Sequence, residues 1–397
     1  MRLSEKMSYW YINSRITDIH KIRLDEEASN RDWTTISAYF DTTTTLNTGP
    51  IKHALLLRVD FLRDAEDGWY ARSLSDDAKT RPFIDLTNLN IVGIPGSDAF
   101  LKSTKDNVQL ETNRDCLGVA LQDEMRIGQA LRISLGTRVD RHTYVPYNSK
   151  DWMDPRIMAS PHAGITWNVF DKLALYTAYS NTRTPNWGNV DINGKEMTNN
   201  RYSNSYEVGV KSQLTGRLLA SCALFRNDQK NLPVSYTSGT VRYAVLEGRF
   251  LAQGVEASVE GYVNKNLSCT FSYTGQKFED AKGEEPRAKN LPKNSFAFYP
   301  TYIHTGSGFL NGIRVGLGVR YMDERYILGP GTTTAEDIMP SYTVLDAFVV
   351  YPLAEQASLR LNVNNVTNEE YFTSDRTFSQ VERGDPFNVQ LTCVYRF

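Results

Sequence analysis

The sequence predicts an all-β protein: a transmembrane antiparallel β-barrel of about sixteen strands, with short periplasmic turns and long extracellular loops. Three observations predict it. The last ten residues, Asn388 to Phe397, put Val389, Leu391, Cys393, Tyr395 and Phe397 on one face of an extended strand, because strand side chains alternate. Asn388, Gln390, Thr392 and Arg396 fall on the other face, with Val394 the one apolar exception. The same alternation recurs upstream, and short connections exchange regularly with long ones. A helix would not give period two.

Bulk properties agree. The chain has 397 residues and a formal net charge of -2, which speaks against nucleic acid as a partner. Mean hydropathy is -0.43, and no run of about 18 apolar residues offers a transmembrane helix. Barrel strands do not need one. The 22 Tyr, 17 Phe and 6 Trp suit aromatic girdles at the membrane surfaces. Cys116, Cys222, Cys269 and Cys393 lie far apart, without a CxxC, and read as small apolar side chains. The N-terminal residues Met1 to Trp10 have no apolar stretch of signal-peptide type.

The elements follow in chain order. Met7 to Leu24 is read as a first strand, and Asp25 to Asp32 as a charged loop. Trp33 to Thr45 is β-rich; Asn47-Thr48-Gly49-Pro50 is a tight turn; Ile51 to Leu62 is the next strand. A long polar connection is expected from Arg63 to about Asp106, and a segment of that length without structure points to function. Val108 to Gln122 and Ile127 to Asp140 are strands joined by a short turn, the second alternating cleanly. After a long loop over Arg141 to Arg156, Ala159 to Asn168 and Leu173 to Ser180 form a hairpin.

The rhythm then repeats. Long connections are expected at Asn181 to Arg201, Asn231 to Glu247, Lys277 to Lys293, Asp323 to Pro340 and Thr367 to Phe387. Short ones are expected at Leu214 to Arg217, Asn264 to Asn266, Thr305 to Asn311 and Pro352 to Gln356. Arg132, Arg138, Arg314, Arg320 and Arg360 share the polar face of their strands and would look into the lumen. The last strand, with its terminal Phe and an aromatic two residues before it, resembles the closing strand of an outer-membrane β-barrel. That resemblance implies that Tyr395 and Phe397 are the C-terminal signal read by the barrel assembly machinery, at the periplasmic rim.

Several segments resemble TonB-dependent outer-membrane receptors for ferric siderophores: Thr48 to Asp60, Leu175 to Pro185, Ser205 to Lys211, Gly254 to Glu256, Pro340 to Asp346 and Asn362 to Phe372. Their order and spacing carry the resemblance over most of the chain from about residue 30. It implies a barrel of about 22 strands with a plugged lumen, of which residues 1–397 would be the partial barrel domain and supply about the last sixteen. The plug domain, the TonB box and the signal peptide would then belong to a missing N-terminal part. The resemblance implies uptake of a ferric siderophore across the bacterial outer membrane, energised by the TonB-ExbB-ExbD system acting through that part. No chemical step is implied, and no cofactor: the siderophore carries the iron.

No catalytic motif appears. His20, His53, His142, His162 and His304 show no metal-ligand spacing, and Glu284-Glu285 and Glu369-Glu370 read as solvated loop carboxylates. The candidate ligand-binding residues lie in the long loops: Trp69, Tyr70, Arg72, Arg81, Tyr144, Tyr147, Trp152, Arg183, Trp187, Tyr236, Tyr243, Tyr326, Phe372, Arg376 and Phe378. Rings bury area and guanidinium groups pair with oxygens, which suits a large, partly apolar, anionic ligand. The rival readings are a passive sixteen-stranded porin-like channel, a non-functional receptor remnant, and a soluble β-rich carbohydrate-binding or hydrolytic protein.

Overall fold

A computed structural model describes residues 2–12, 21–72, 83–85, 90–92, 108–109, 111–146, 151–239, 241–284, 290–326, 338–377 and 380–396. Among the described residues sixteen long strands follow one another. They are β1 (Arg2–Ile12), β2 (Lys21–Thr48), β3 (Ile51–Arg72), β4 (Thr112–Ile127), β5 (Leu131–Val145), β6 (Arg156–Phe170), β7 (Leu173–Thr184) and β8 (Arg201–Thr215). Then come β9 (Leu218–Ser238), β10 (Val241–Tyr262), β11 (Leu267–Glu279), β12 (Asn294–Ile303), β13 (Arg314–Met322), β14 (Tyr342–Ala354), β15 (Ala357–Asn364) and β16 (Asn388–Tyr395). Each pairs antiparallel with the next, a single up-and-down meander. Among the described residues no helix occurs and no ladder joins β1 to β16. The sheet is therefore a partial barrel, and the closing seam that a passive sixteen-stranded channel needs is not formed there.

Register sorts the two faces. Directly paired residues share a face in an antiparallel ladder. Leu57, Leu121 and Thr137 form one row; Val59, Val119, Val139 and Ala159 form the next. Across the far half, Val315, Val349, Leu361 and Leu391 align in the same way. This face stays apolar and exposed, with Leu317 58% and Leu391 64% accessible, which is an outer wall facing lipid. The opposite face carries the charges. Arg58 donates two 2.6 Å bonds to Asp41, and Arg138 bridges Asp60 and Asp140. The five arginines expected in the lumen all share this register.

One end of the sheet is tight. Gly49, at φ 61°, takes the first turn position, and Pro50 fixes the second, so β2 and β3 join through two residues. At the turn between β10 and β11, the Asn264 carboxamide oxygen accepts from the backbone of Asn266 (2.8 Å) and Leu267 (2.9 Å). The other end holds the long connections.

Asp123 to Arg126, expected as the short turn after Gln122, is strand paired to β3 and β5, and the turn falls at Gly128 to Ala130. Four further sequence expectations need correction. Met7 to Leu24 is not one strand: β1 stops at Ile12, and β2 starts at Lys21. Asp25 to Asp32 is strand, not loop, paired to β1 and β3. The connection after Leu62 begins only past Arg72, and contains short strands Phe83–Asp85 and Asn90–Val92. Asn231 to Glu247 is a β-ribbon that continues β9 and β10 with register shifts near Leu232. The reason is common to all four. Above the apolar band both faces meet water, so ladder hydrogen bonds persist where the hydrophobic alternation that reveals a strand is gone. The connection after β15 also contains structure, a hairpin of Phe372–Thr377 and Gln380–Arg383.

Candidate functional site

The long-connection end gathers aromatic rings and guanidinium groups. Tyr144 closes β5, is 9% exposed, and tilts against Trp187 of the 185–200 connection with ring centroids 5.6 Å apart. Arg114 of β4 sits over the Tyr144 ring at 5.7 Å, and Arg156 of β6 over the Trp187 ring at 5.1 Å. Arg156 is buried, and Glu196 neutralises it at 3.2 Å. Two paired rings thus lie between two cations, drawn from four elements, each contact a cation–π or ring pair.

The 185–200 connection is held in place rather than loose. Asn186 donates through its side-chain amide to the carbonyls of Asn199 (3.0 Å) and Asn231 (3.3 Å). Ala244 of β10 donates its backbone N–H to the Val190 carbonyl at 2.9 Å, and Val190 bridges to Glu196. The connection therefore spans from β5 and β6 to the β9–β10 ribbon. On that ribbon Tyr236 and Tyr243 stack at 5.8 Å, and the Tyr236 hydroxyl donates to the Glu247 carboxylate.

A second knot orders the connection after β15. Arg325, 3% exposed, donates to the carbonyls of Thr373 (2.8 Å) and Phe372 (2.6 Å) and lies over Tyr342 at 5.6 Å. Tyr342 and Tyr371 meet at 4.6 Å. Asn365, 1% exposed, ties both ends of the connection by donating to the carbonyls of Glu369 (2.8 Å) and Asp385 (3.0 Å). Beyond the end of β13, burial tends to raise the Asp323 carboxyl. Donors from the Tyr321 hydroxyl and the Asn294 amide outweigh that and hold it below the ordinary 3.8.

Below this mouth the polar face forms a hollow of ≈ 530 Å³ whose lining includes His162, Asn227, Glu207, Glu256 and Gln276. The Tyr176 hydroxyl donates to Glu207, and Lys211 lies over the Tyr176 ring at 4.8 Å. Further round, Arg320 pairs with Asp346 at 3.2 Å. The lumen wall here is polar, and the end above it gathers rings and guanidinium groups, with Arg114 exposed and Arg156 buried against Glu196.

Of the sequence candidates, Tyr144 and Trp187 meet, and Tyr236 and Tyr243 meet. Trp69 is half-buried on β3, paired with Asn30 and Gln109. Tyr70 and Arg72 continue that strand opposite Ser29 and Glu27. Trp152 is exposed at the rim. Arg183 donates to Asn181 at 3.1 Å and continues the register of the outer face above the apolar band. Tyr326 pairs with Ile338 in a two-residue ladder, and Phe372 lends its carbonyl to Arg325. Arg376 lies in the Phe372–Thr377 strand. Arg81, Tyr147, Phe378 and Phe397 lie outside the described residues. Tyr395 ends β16, its hydroxyl donating to Gln356 at 3.2 Å. Sequence reasoning missed Arg114, Arg156, Glu196, Arg325 and Asn365, because no motif marks their partners: Tyr144 for Arg114, Glu196 for Arg156, the Phe372 and Thr373 carbonyls for Arg325, and the Glu369 and Asp385 carbonyls for Asn365.

Comparison with known proteins gives the same architecture a lineage. The family model described as TonB dependent receptor-like, beta-barrel matches residues 4–366. The metal-pseudopaline receptor CntO of Pseudomonas aeruginosa is 25% identical over 97% of this chain and 54% of its own length. The ferrioxamine B receptor of Salmonella typhimurium is 26% identical over 84% of this chain and 46% of its own. The chain thus spans about half the length of the curated relatives it matches. The ferric-catecholate import receptor Fiu of E. coli K12, in its closed form, superposes with a TM-score of 0.79 at 18% identity, covering 100% of this chain and 60% of that one. FpvA of P. aeruginosa, solved with bound pyoverdine and iron, gives 0.81 at 17%, covering 99% and 52%. With its meander, its two-faced register and a family match over most of its length, the chain belongs to the TonB-dependent receptor β-barrel family.

Proposed function

We propose that this chain is barrel wall of an outer-membrane receptor that takes up a ferric siderophore or a closely related metal chelate. The observation that carries the reading is the mouth: Tyr144, Trp187, Arg114 and Arg156 stand together over a polar lumen, in a chain whose relatives are receptors for metal–pseudopaline and ferrioxamine B. The ligand supplies its own chelating groups to the metal, so the mouth needs only area and cationic partners for ligand oxygens. Energy comes through TonB-ExbB-ExbD, acting on a plug domain N-terminal to the barrel. Insertion uses the barrel assembly machinery, with Tyr395 and Phe397 as its signal. The protein is a receptor and transporter, and it makes or breaks no covalent bond.

The test is uptake of ⁵⁵Fe by iron-starved cells carrying or lacking the gene. Ferrioxamine B, ferric pyoverdine and a ferric catecholate are presented one at a time, with and without a protonophore. The reading expects at least one ligand whose uptake needs both the gene and the proton-motive force. Gene-dependent uptake that survives the protonophore returns the passive channel; no gene dependence with any chelate removes the transport role.

A further inference from the structure

We infer that the lumen wall carries a binding site for a single divalent transition ion, built from Cys116, Asp140 and His142. The three residues come from two strands, and only the β4–β5 register unites them. Cys116 is directly opposite His142 in the ladder, and Asp140 precedes His142 by two positions, so all three project from the same face. That face is the polar one, shared with Asp60 and Arg138. Each side chain is partly buried, and the three donor atoms all lie within 4.8 Å of one another.

The distances match an ion's coordination polyhedron. The Cys116 sulfur is 3.6 Å from Asp140 Oδ1 and 3.6 Å from His142 Nε2. With bonds of about 2.3 Å to sulfur and about 2.0 Å to nitrogen or oxygen, a tetrahedral centre has S···N and S···O edges of about 3.5 Å. The two edges that meet at the sulfur are thus preformed, the third donor pair lies within 4.8 Å, and the fourth vertex is left to water or a ligand in the lumen. The donor set selects the ion. A thiolate with an imidazole and one carboxylate suits Zn²⁺, Co²⁺ or Ni²⁺, whereas Ca²⁺ and Mg²⁺ require oxygen donors.

Charge favours a divalent ion as well. Arg138 reaches both Asp60, at 2.6 and 2.8 Å, and Asp140. Asp60 alone neutralises the guanidinium, leaving Asp140 as an excess carboxylate. Adding an M²⁺ ion and removing the thiol proton to solvent brings the five-residue group to zero net charge. Above the group, Arg156 faces His142 across the β5–β6 ladder but is neutralised by Glu196 at 3.2 Å. Gly118, opposite Asp140, makes the arrangement possible: a methyl group there would collide with the Arg138 guanidinium.

The experiment is Co²⁺ titration of the intact protein in detergent, read by the thiolate-to-cobalt charge-transfer band in the near ultraviolet. One equivalent of Co²⁺ should raise the band. The triple variant C222S/C269S/C393S should keep it, Cys116→Ser should abolish it, and His142→Gln should weaken Co²⁺ binding at least tenfold. A second reading uses the unmutated chain. Zn²⁺ should slow alkylation of Cys116 by a maleimide while leaving Cys222 unaffected, as read by peptide mass spectrometry. A wild-type protein without the band, a band that persists in Cys116→Ser, or a Cys116 alkylation rate indifferent to Zn²⁺ would each overturn the site.

Discussion

Arg138 shows how one residue organises the lumen wall. Its guanidinium lies across Gly118 and holds a carboxylate on each side, Asp60 from β3 and Asp140 from its own strand. Removing it leaves two partly buried carboxylates facing each other, and such breakage costs more than the pair contributes. Arg138→Ala should therefore lower unfolding stability by about 1–3 kcal/mol, read as a fall in the urea midpoint. Asp60→Asn should cost less, because Asp140 remains. A variant midpoint within error of wild type would mean that water already serves these groups. Asp323 gives a pH signature outside the strands. Its folded value is depressed, so its contribution is complete above the ordinary 3.8 and is lost as pH falls through the lower folded value. The stability gap between wild type and Asp323→Asn should be flat at neutral pH and close only in acid. A gap that grows on acidification would reverse the sign.

The 185–200 connection is the informative element. Trp187 anchors it between Tyr144 and Arg156, and the Val190–Glu196 bridge and Ala244 fix its far end. Trp187→Ala should free the segment. Amide exchange at Asp191 and Met197, the two donors of the bridge, should rise well above that in β7, and chelate binding should weaken by about tenfold or more, about 1.4 kcal/mol. Unchanged exchange would show that the asparagine bonds suffice alone. This element also marks the limit of sequence reading. Strands inside the apolar band were legible, as in Leu131 to Val139, because lipid on one side and water on the other impose period two. The outer reaches of β2, β3 and the β9–β10 ribbon were not, since water on both faces removes that pattern. At the mouth, Tyr144 and Trp187 were legible as ring-bearing residues, although Tyr144 lies on β5 and not in the expected loop. Arg114, Arg156 and the Cys116–Asp140–His142 group were not, because cross-strand register, rather than spacing along the chain, brings them to their partners.

Over the whole molecule, the organising fact is that one continuous meander has two chemically different faces. Along β13, Leu317 points with the apolar rows; on β11, Ser272 points with the polar ones. An arginine on the lipid side near the bilayer midplane costs about 2–4 kcal/mol, whereas the lumen tolerates it. Leu317→Arg should consequently reduce the amount of protein inserted in outer membranes, and Ser272→Arg should not. The same asymmetry permits the most direct measurement. In a background with Cys116, Cys222, Cys269 and Cys393 replaced by serine, single cysteines are placed at Val208, Leu224 and Leu317, and at Ser258, Ser272 and Gln276. Intact outer membranes are then treated with a membrane-impermeant maleimide. The account predicts labelling at the second three positions and none at the first three. Equal labelling of both sets, or the reverse order, would contradict a barrel wall with its apolar face against lipid.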